Sequence, residues 1–222
     1  MRGYFPLTDF DFWAFLTSGA VLLAAADRVL GLGWLDRENW TVVQLGVAVA
    51  VAYVTGHVIA EAASRLLEGA LVHRLLGTPA THLLSGQPDR PAGRWLYSGY
   101  FKPVAPELRV RIERRAARED PPMERDAIYA SAYVLARRDQ LASGRLAVFQ
   151  NQYSMCRNVS LACLLAAPAL AIGGTHTGRT ADLWWAAAAL VVAAVMLIRF
   201  LNYYRLFSVE VLNTYASGAG AS

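Results

Sequence analysis

Lysine is nearly missing from this chain: Lys102 stands alone beside 20 arginines. With abundant alanine, that bias points to a high-GC bacterial genome. The familiar catalytic patterns are missing too. No glycine-rich phosphate loop is present, which removes the support for P-loop nucleotide chemistry. The segment GHVIAEAAS, around His57 and Glu61, lacks both the second histidine and the adjacent glutamate of a His-Glu-x-x-His metal site. The paired aspartates of lipid-synthesis helices are absent. No spacing brings Ser154, Cys156 and His57 together as a nucleophile and its base. Cysteine is scarce. Cys156 and Cys163 lie seven positions apart on one predicted helix, which is about 10 Å at the helical rise. That is too far for a disulfide, so both read as small buried hydrophobes. No small-residue cleavage site follows the first apolar block, which is therefore expected to be a retained span.

Apolar residues, by contrast, are in excess. Hydrophobic side chains make up 55% of the 222 residues, against about 45–50% in a soluble domain. They gather in blocks, and a helix needs about 20 such residues to cross a bilayer. After an amphipathic lead-in with Asp9 and Asp11 near the helix start, the first span is predicted at Phe12–Leu32. Trp13 and Trp34 sit near its ends, as interfacial aromatics do. Asp27 and Arg28 read as an interfacial pair. The second span begins near Trp40 and reaches the far face near Ala60 or Glu61. Its helical pattern runs on through IAEAASRLLEGALVHRLLG until Gly77 and Pro79. A third span is predicted at Asn158–Gly173, with Pro168 as a tolerated kink. The fourth opens over Leu183–Ile198 at a Trp184–Trp185 belt and continues as helix to about Ala216. SGAGAS then reads as a flexible tail. Small residues at Gly46–Ala50, Ala52–Gly56 and Ala186–Ala189 allow helices to approach closely, within one chain or between copies.

Spans two and three are separated by a long charged stretch. Residues 78–102 are rich in proline and glycine and read as a loop or linker. Two helices follow, PELRVRIERRAARE with Pro106 in its first turn and MERDAIYASAYVLARRDQLAS, divided by Pro121–Pro122. Gly144 is the expected interruption before RLAVFQNQYSMCRN. Leu66 to Met155 holds 13 Lys/Arg, whereas the turns LGWLDREN and GGTHTGRTAD hold one each, Arg37 and Arg179. The positive-inside rule then puts both termini in the cytosol and the chain in the cell (inner) membrane. The fold expected is an all-α integral membrane protein. It is a four-transmembrane-helix bundle with a cytosolic helical insertion between spans 2 and 3. The divisions are 1–66 for spans 1 and 2, 67–150 for the insertion and its linker, 151–216 for spans 3 and 4 with a helix extension, and 217–222 for the tail.

Polar side chains gather where the charged stretch meets the spans. The candidate binding set is an inner collar of His57, Glu61, Arg65, Asn151, Arg157, Asn158, Arg199, Asn202 and Arg205, flanked by Gln150, Tyr153 and Tyr203. Guanidinium groups there suit a phosphate, that of an anionic lipid head group or of a nucleotide. They equally suit snorkelling and ion pairing, with Glu61 as the single acid for Arg65, Arg157 or Arg199. The set names no metal, no cofactor and no catalytic residue. The run ELRVRIERRAARED mixes its arginines with acids and reads as a solvated face beside anionic lipid rather than a nucleic-acid surface. The reading these observations favour is a non-enzymatic membrane sensor, scaffold or effector module. Its cytosolic helices would contact a protein partner, and its spans would either self-associate as a homo-oligomer or form a pore. Two alternatives stay open: a membrane enzyme acting on a phosphorylated or lipid-linked substrate, with His57 or Glu61 as base, and a transporter or channel subunit.

Overall fold

The computed structural model describes residues 9–77, 82–84, 98–118 and 125–218. The lead-in before Asp9, Pro79, most of the 78–102 linker, Pro121–Pro122 and the tail beyond Gly218 lie outside them. Among the described residues every regular element is helical and none is a strand. The principal helices are α1 (Asp9–Leu30), α2 (Val42–Ala63), α3 (Pro106–Ala116), α4 (Arg125–Arg138), α5 (Gln140–Thr177) and α6 (Thr180–Ser217). A π-helical segment, Ser64–Leu76, prolongs α2, and a short 3-10 turn spans Ser98–Phe101. Among the described residues four stretches are long and apolar enough to cross a membrane: Phe12–Leu30, Val42–Leu76, Gln140–Thr177 and Thr180–Ser217.

Local chemistry sets the helix ends. Thr41 caps α2 in a capping box: the Gln44 N–H donates to Thr41 Oγ1 at 3.2 Å and the Thr41 N–H donates to Gln44 Oε1 at 3.1 Å. Gly77 closes the π segment at φ 82°, a backbone conformation that costs glycine nothing. The expected interruption at Gly144 is not there. The break falls at Asp139, whose Oδ1 accepts from the Leu141 and Ala142 N–H groups at 2.8 and 2.9 Å and caps α5. Gly144 is an exposed helical residue within α5, and Pro168 leaves that helix continuous. GGTHTGRTAD shrinks correspondingly. Helix α5 runs to Thr177, leaving Gly178 and Arg179 between it and α6. The Thr175 and Thr177 hydroxyls donate back to Ile172 O and Gly173 O, which keeps the polar residues helical.

The chain divides into two compact units: Met1–Glu68 with Ser154–Phe200, and Gly69–Tyr153 with Leu201–Ser222. In the first unit α1 and α2 meet at backbone contact. A Cβ added to Gly56 would lie 1.9 Å from Phe15 O, and one on Gly19 would lie 1.8 Å from Ala52 O. Small residues are what permit so close a crossing. Helices α5 and α6 are tied by the Ser160 hydroxyl, which donates to Ala193 O at 3.0 Å. Ala25, Ala166, Leu170 and Ala186 form a buried cluster on α1, α5 and α6.

The second unit is built from α3, α4, the start of α5 and the end of α6. The Arg115 guanidinium lies 4.4 Å from the centre of the Tyr215 ring and also donates to the Tyr215 carbonyl. Arg145 pairs with Glu210 at 2.8 Å. Tyr153 meets Tyr204 and Phe207 edge-on. These contacts give α3 and α5 fixed places against α6.

Candidate functional site

The collar residues fall in both units. His57, Glu61, Arg65, Arg157, Asn158 and Arg199 belong to the first; Asn151, Asn202 and Arg205 belong to the second. In the first unit, His57 stacks on Phe15 with ring centres 4.0 Å apart and meets Tyr53 edge-on at 4.7 Å. Glu61 and Arg65 form an i, i+4 pair at 2.8 Å, and their side chains are 66% and 78% exposed. Such a pair is worth little.

Glu61 is not the only acid at this level. Arg157, nearly buried, pairs with Glu68, and its Nε donates to Asn158 Oδ1 at 3.3 Å. Asn158 is itself almost fully buried. The acid that neutralises the inward arginine therefore sits seven residues beyond the one expected. A span cut off at about 20 residues leaves Glu68 out, and π geometry turns the helix face differently from an α pattern. In the second unit, Arg205 donates through Nη2 to Lys102 O at 3.0 Å, while its buried Nε has no hydrogen-bond partner among the described residues.

A second polar cluster occupies the end of the first unit where α1 stops and α6 starts. Asp27 and Arg28 do not pair with each other. Buried Asp27 accepts from the Trp34 and Leu35 N–H groups at 2.8 and 3.2 Å, tying down the turn after α1. Arg28 reaches instead to Asp182, buried in the first turn of α6, at 3.6 Å. An acid in a first turn also suits the helix dipole.

Two phenols in the second unit are held neutral. Burial pushes Tyr100 far above the ordinary phenol range, and its hydroxyl donates to Gly77 O at 2.9 Å. Burial raises Tyr129 as well, against a hydrogen bond to Ser208 that acts the other way. Both act as buried donors, not as bases. Among the described residues no three His, Cys, Asp or Glu side chains are arranged to hold a metal ion. The arginines of α3 divide. Arg115 is turned onto Tyr215 and Arg109 pairs with Glu113, while Arg111 and Arg114, like Arg118 in the turn beyond the helix, stay exposed. No family model matches the chain, and comparison with curated proteins and with solved structures returned no match.

Proposed function

We infer that this is a non-enzymatic sensor, scaffold or effector module of the cell membrane, with both termini in the cytosol. Its second unit would be the part that meets a protein partner beside the anionic leaflet. The observation that carries this reading is the division of labour among the arginines of that unit. Arg115 and Arg145 are spent on internal anchors, Tyr215 and Glu210. Arg111, Arg114, Arg118 and Arg138 are left exposed. A basic surface on ordered helices attracts acidic partners and anionic head groups, at about 1 kcal/mol per residue close to a charged leaflet. The collar supports the enzyme reading less well, because His57 is engaged in aromatic stacking and Glu61 in a surface pair.

A photo-crosslinking residue placed at Arg114 or Arg118 in native cells tests the reading. It should give one discrete protein adduct that Arg111→Glu suppresses, while the same probe at Val191 gives none. Adducts with lipid alone, or a ladder indifferent to Arg111→Glu, would remove the partner-binding role. Reporter fusions after residues 36, 90, 177 and 222 check the sidedness. The expected signals are outside, inside, outside and inside.

A further inference from the structure

Helix α3 presents one face outward. Ile112 and Ala116 are buried, and Arg115 is turned onto the Tyr215 ring. Glu107, Val110, Arg111 and Arg114 are exposed. At about 100° per residue these four positions fall on one stripe. Beyond the helix, Ala117 keeps helical angles at φ −71° and ψ −16°, and the Arg118 N–H donates to Arg115 O at 3.0 Å. Exposed Arg118, in that turn, therefore follows the winding of the helix and extends the stripe. Along the axis the three arginines stand about 4.5 and 6 Å apart.

Acids of the same helix do not offset this row. Glu113 lies off the stripe and is paired with Arg109 at 2.8 Å. Glu107 is the stripe's one acid among the described residues; Glu119 and Asp120 lie outside them. Among the described residues the guanidiniums of Arg111, Arg114 and Arg118 make no ion pair and no hydrogen bond. Like charges three or four positions apart repel, so the row is a cost until a counterpart covers it. Its form selects that counterpart. The guanidiniums are strung along a line, whereas a phosphate site gathers its donors at a point. Val110, 42% exposed, is the stripe's one apolar side chain, and no aromatic joins it. The row therefore lacks the apolar face that an interfacial helix sinks into lipid and the platform on which bases stack. A second helix has the same rise, so carboxylates at i, i+3 and i+7 on it meet the three arginines one to one.

We propose that the outward face of α3 docks an acidic helix of a partner protein, with one carboxylate against each of Arg111, Arg114 and Arg118. This inference rests on the reading of the second unit as partner-binding and gives the partner its chemistry.

The probe is a labelled alanine-rich peptide with glutamates at i, i+3 and i+7, offered to the full-length protein in neutral detergent and followed by fluorescence anisotropy. A control of the same composition carries them at i, i+2 and i+5, and circular dichroism matches the two for helicity. An exposed ion pair is worth about threefold in affinity. The aligned peptide should therefore bind about tenfold tighter than the control, which keeps one pair. Arg111→Gln, Arg114→Gln and Arg118→Gln change exposed side chains and should each weaken binding about threefold. Arg179→Gln, in the first unit, should leave it unchanged. Equal binding of the two peptides would overturn the proposal, as would indifference to Arg114→Gln. Displacement of the aligned peptide by phosphatidylglycerol at equal charge would assign the row to the leaflet instead, and tighter binding of oligothymidylate would assign it to a polyanion. Any of these failures, with the cross-linked adduct at Arg118 still formed in cells, would strike the acidic helix and keep the partner. Loss of that adduct as well would strike both.

Discussion

Replacing Glu68 by glutamine removes a charge and keeps the shape. The variant leaves Arg157, whose side chain is 10% exposed, without its carboxylate. Breaking a buried pair by deleting one partner costs about 3–5 kcal/mol, because the remaining ion keeps its desolvation penalty. Two features reduce that figure. Glu68 retains 20% exposure, and Asn158 Oδ1 still accepts from Arg157 Nε. The expected loss is about 2–4 kcal/mol. Glu61→Gln, by contrast, breaks a pair that is more than half exposed on both sides, and should cost under about 1 kcal/mol.

Unfolding in mixed micelles with rising SDS fraction measures both variants. Tryptophan emission suits the purpose, since Trp13, Trp34, Trp40, Trp184 and Trp185 all lie in the first unit. The double variant Glu68→Gln with Arg157→Gln should recover at least half of the loss, because no uncompensated ion remains. Glu68→Gln within about 0.5 kcal/mol of the unaltered protein would refute the reasoning, since surface substitutions stay inside that band. So would a Glu61→Gln loss of equal size.

Two further outcomes follow from single contacts. Gly56→Ala drives a methyl group into the Phe15 carbonyl and should cost at least about 2 kcal/mol in the same assay, toward the upper part of the overpacking range. Gly46→Ala meets nothing within 4 Å and should be neutral or stabilising by up to about 1 kcal/mol; a reversed order would mean that α1 and α2 do not cross there. In the second unit, the raised Tyr100 and Tyr129 phenols keep their protons when folded, so their stability contribution is complete below the ordinary phenol value, about pH 10, and falls as pH climbs beyond it. Tyr100→Phe should lose about 1 kcal/mol at neutral pH with the hydrogen bond to Gly77 O and soften the alkaline decline, and absorbance at 295 nm should lose one phenol that titrates above the ordinary range; an unchanged titration would disprove the assignment.

The long helices were legible because hydrophobic blocks announce themselves without reference to any neighbour. The apolar and small-residue pattern of span 2 even contained Gly56, although nothing in it distinguished Gly56, pressed on a carbonyl, from Gly46, which faces open space. Helix breaks were less legible. Gly144 looked the weaker link, yet a glycine inside a helix costs only about 1 kcal/mol relative to alanine. Asp139 offers two backbone donors an acceptor and so sets the start of α5. Which arginine turns inward was not legible at all. Arg114 and Arg115 are neighbours of one kind, and only the Tyr215 ring, far along the chain, separates their roles.

Asp27 and Arg28 mark the line between what a sequence carries and what it withholds. Read as a pair, they look self-sufficient. On a helix, however, consecutive side chains point about 100° apart, and it is positions three or four apart that face each other. An Asp-Arg dipeptide near a helix end is thus two charges, each in need of its own partner. The carboxylate at the last turn finds backbone N–H groups in the turn beyond it, as Asp27 does with Trp34 and Leu35. The guanidinium needs an acid from another helix that reaches the same end. In a bundle of alternating direction, that acid must lie in the first turn of a helix that starts there. Asp182 is the one acidic residue in the first turn of α6, and it is the residue Arg28 meets. Helix geometry alone supplied the need for a partner; only the packing of α1 against α5 and α6 supplied its identity.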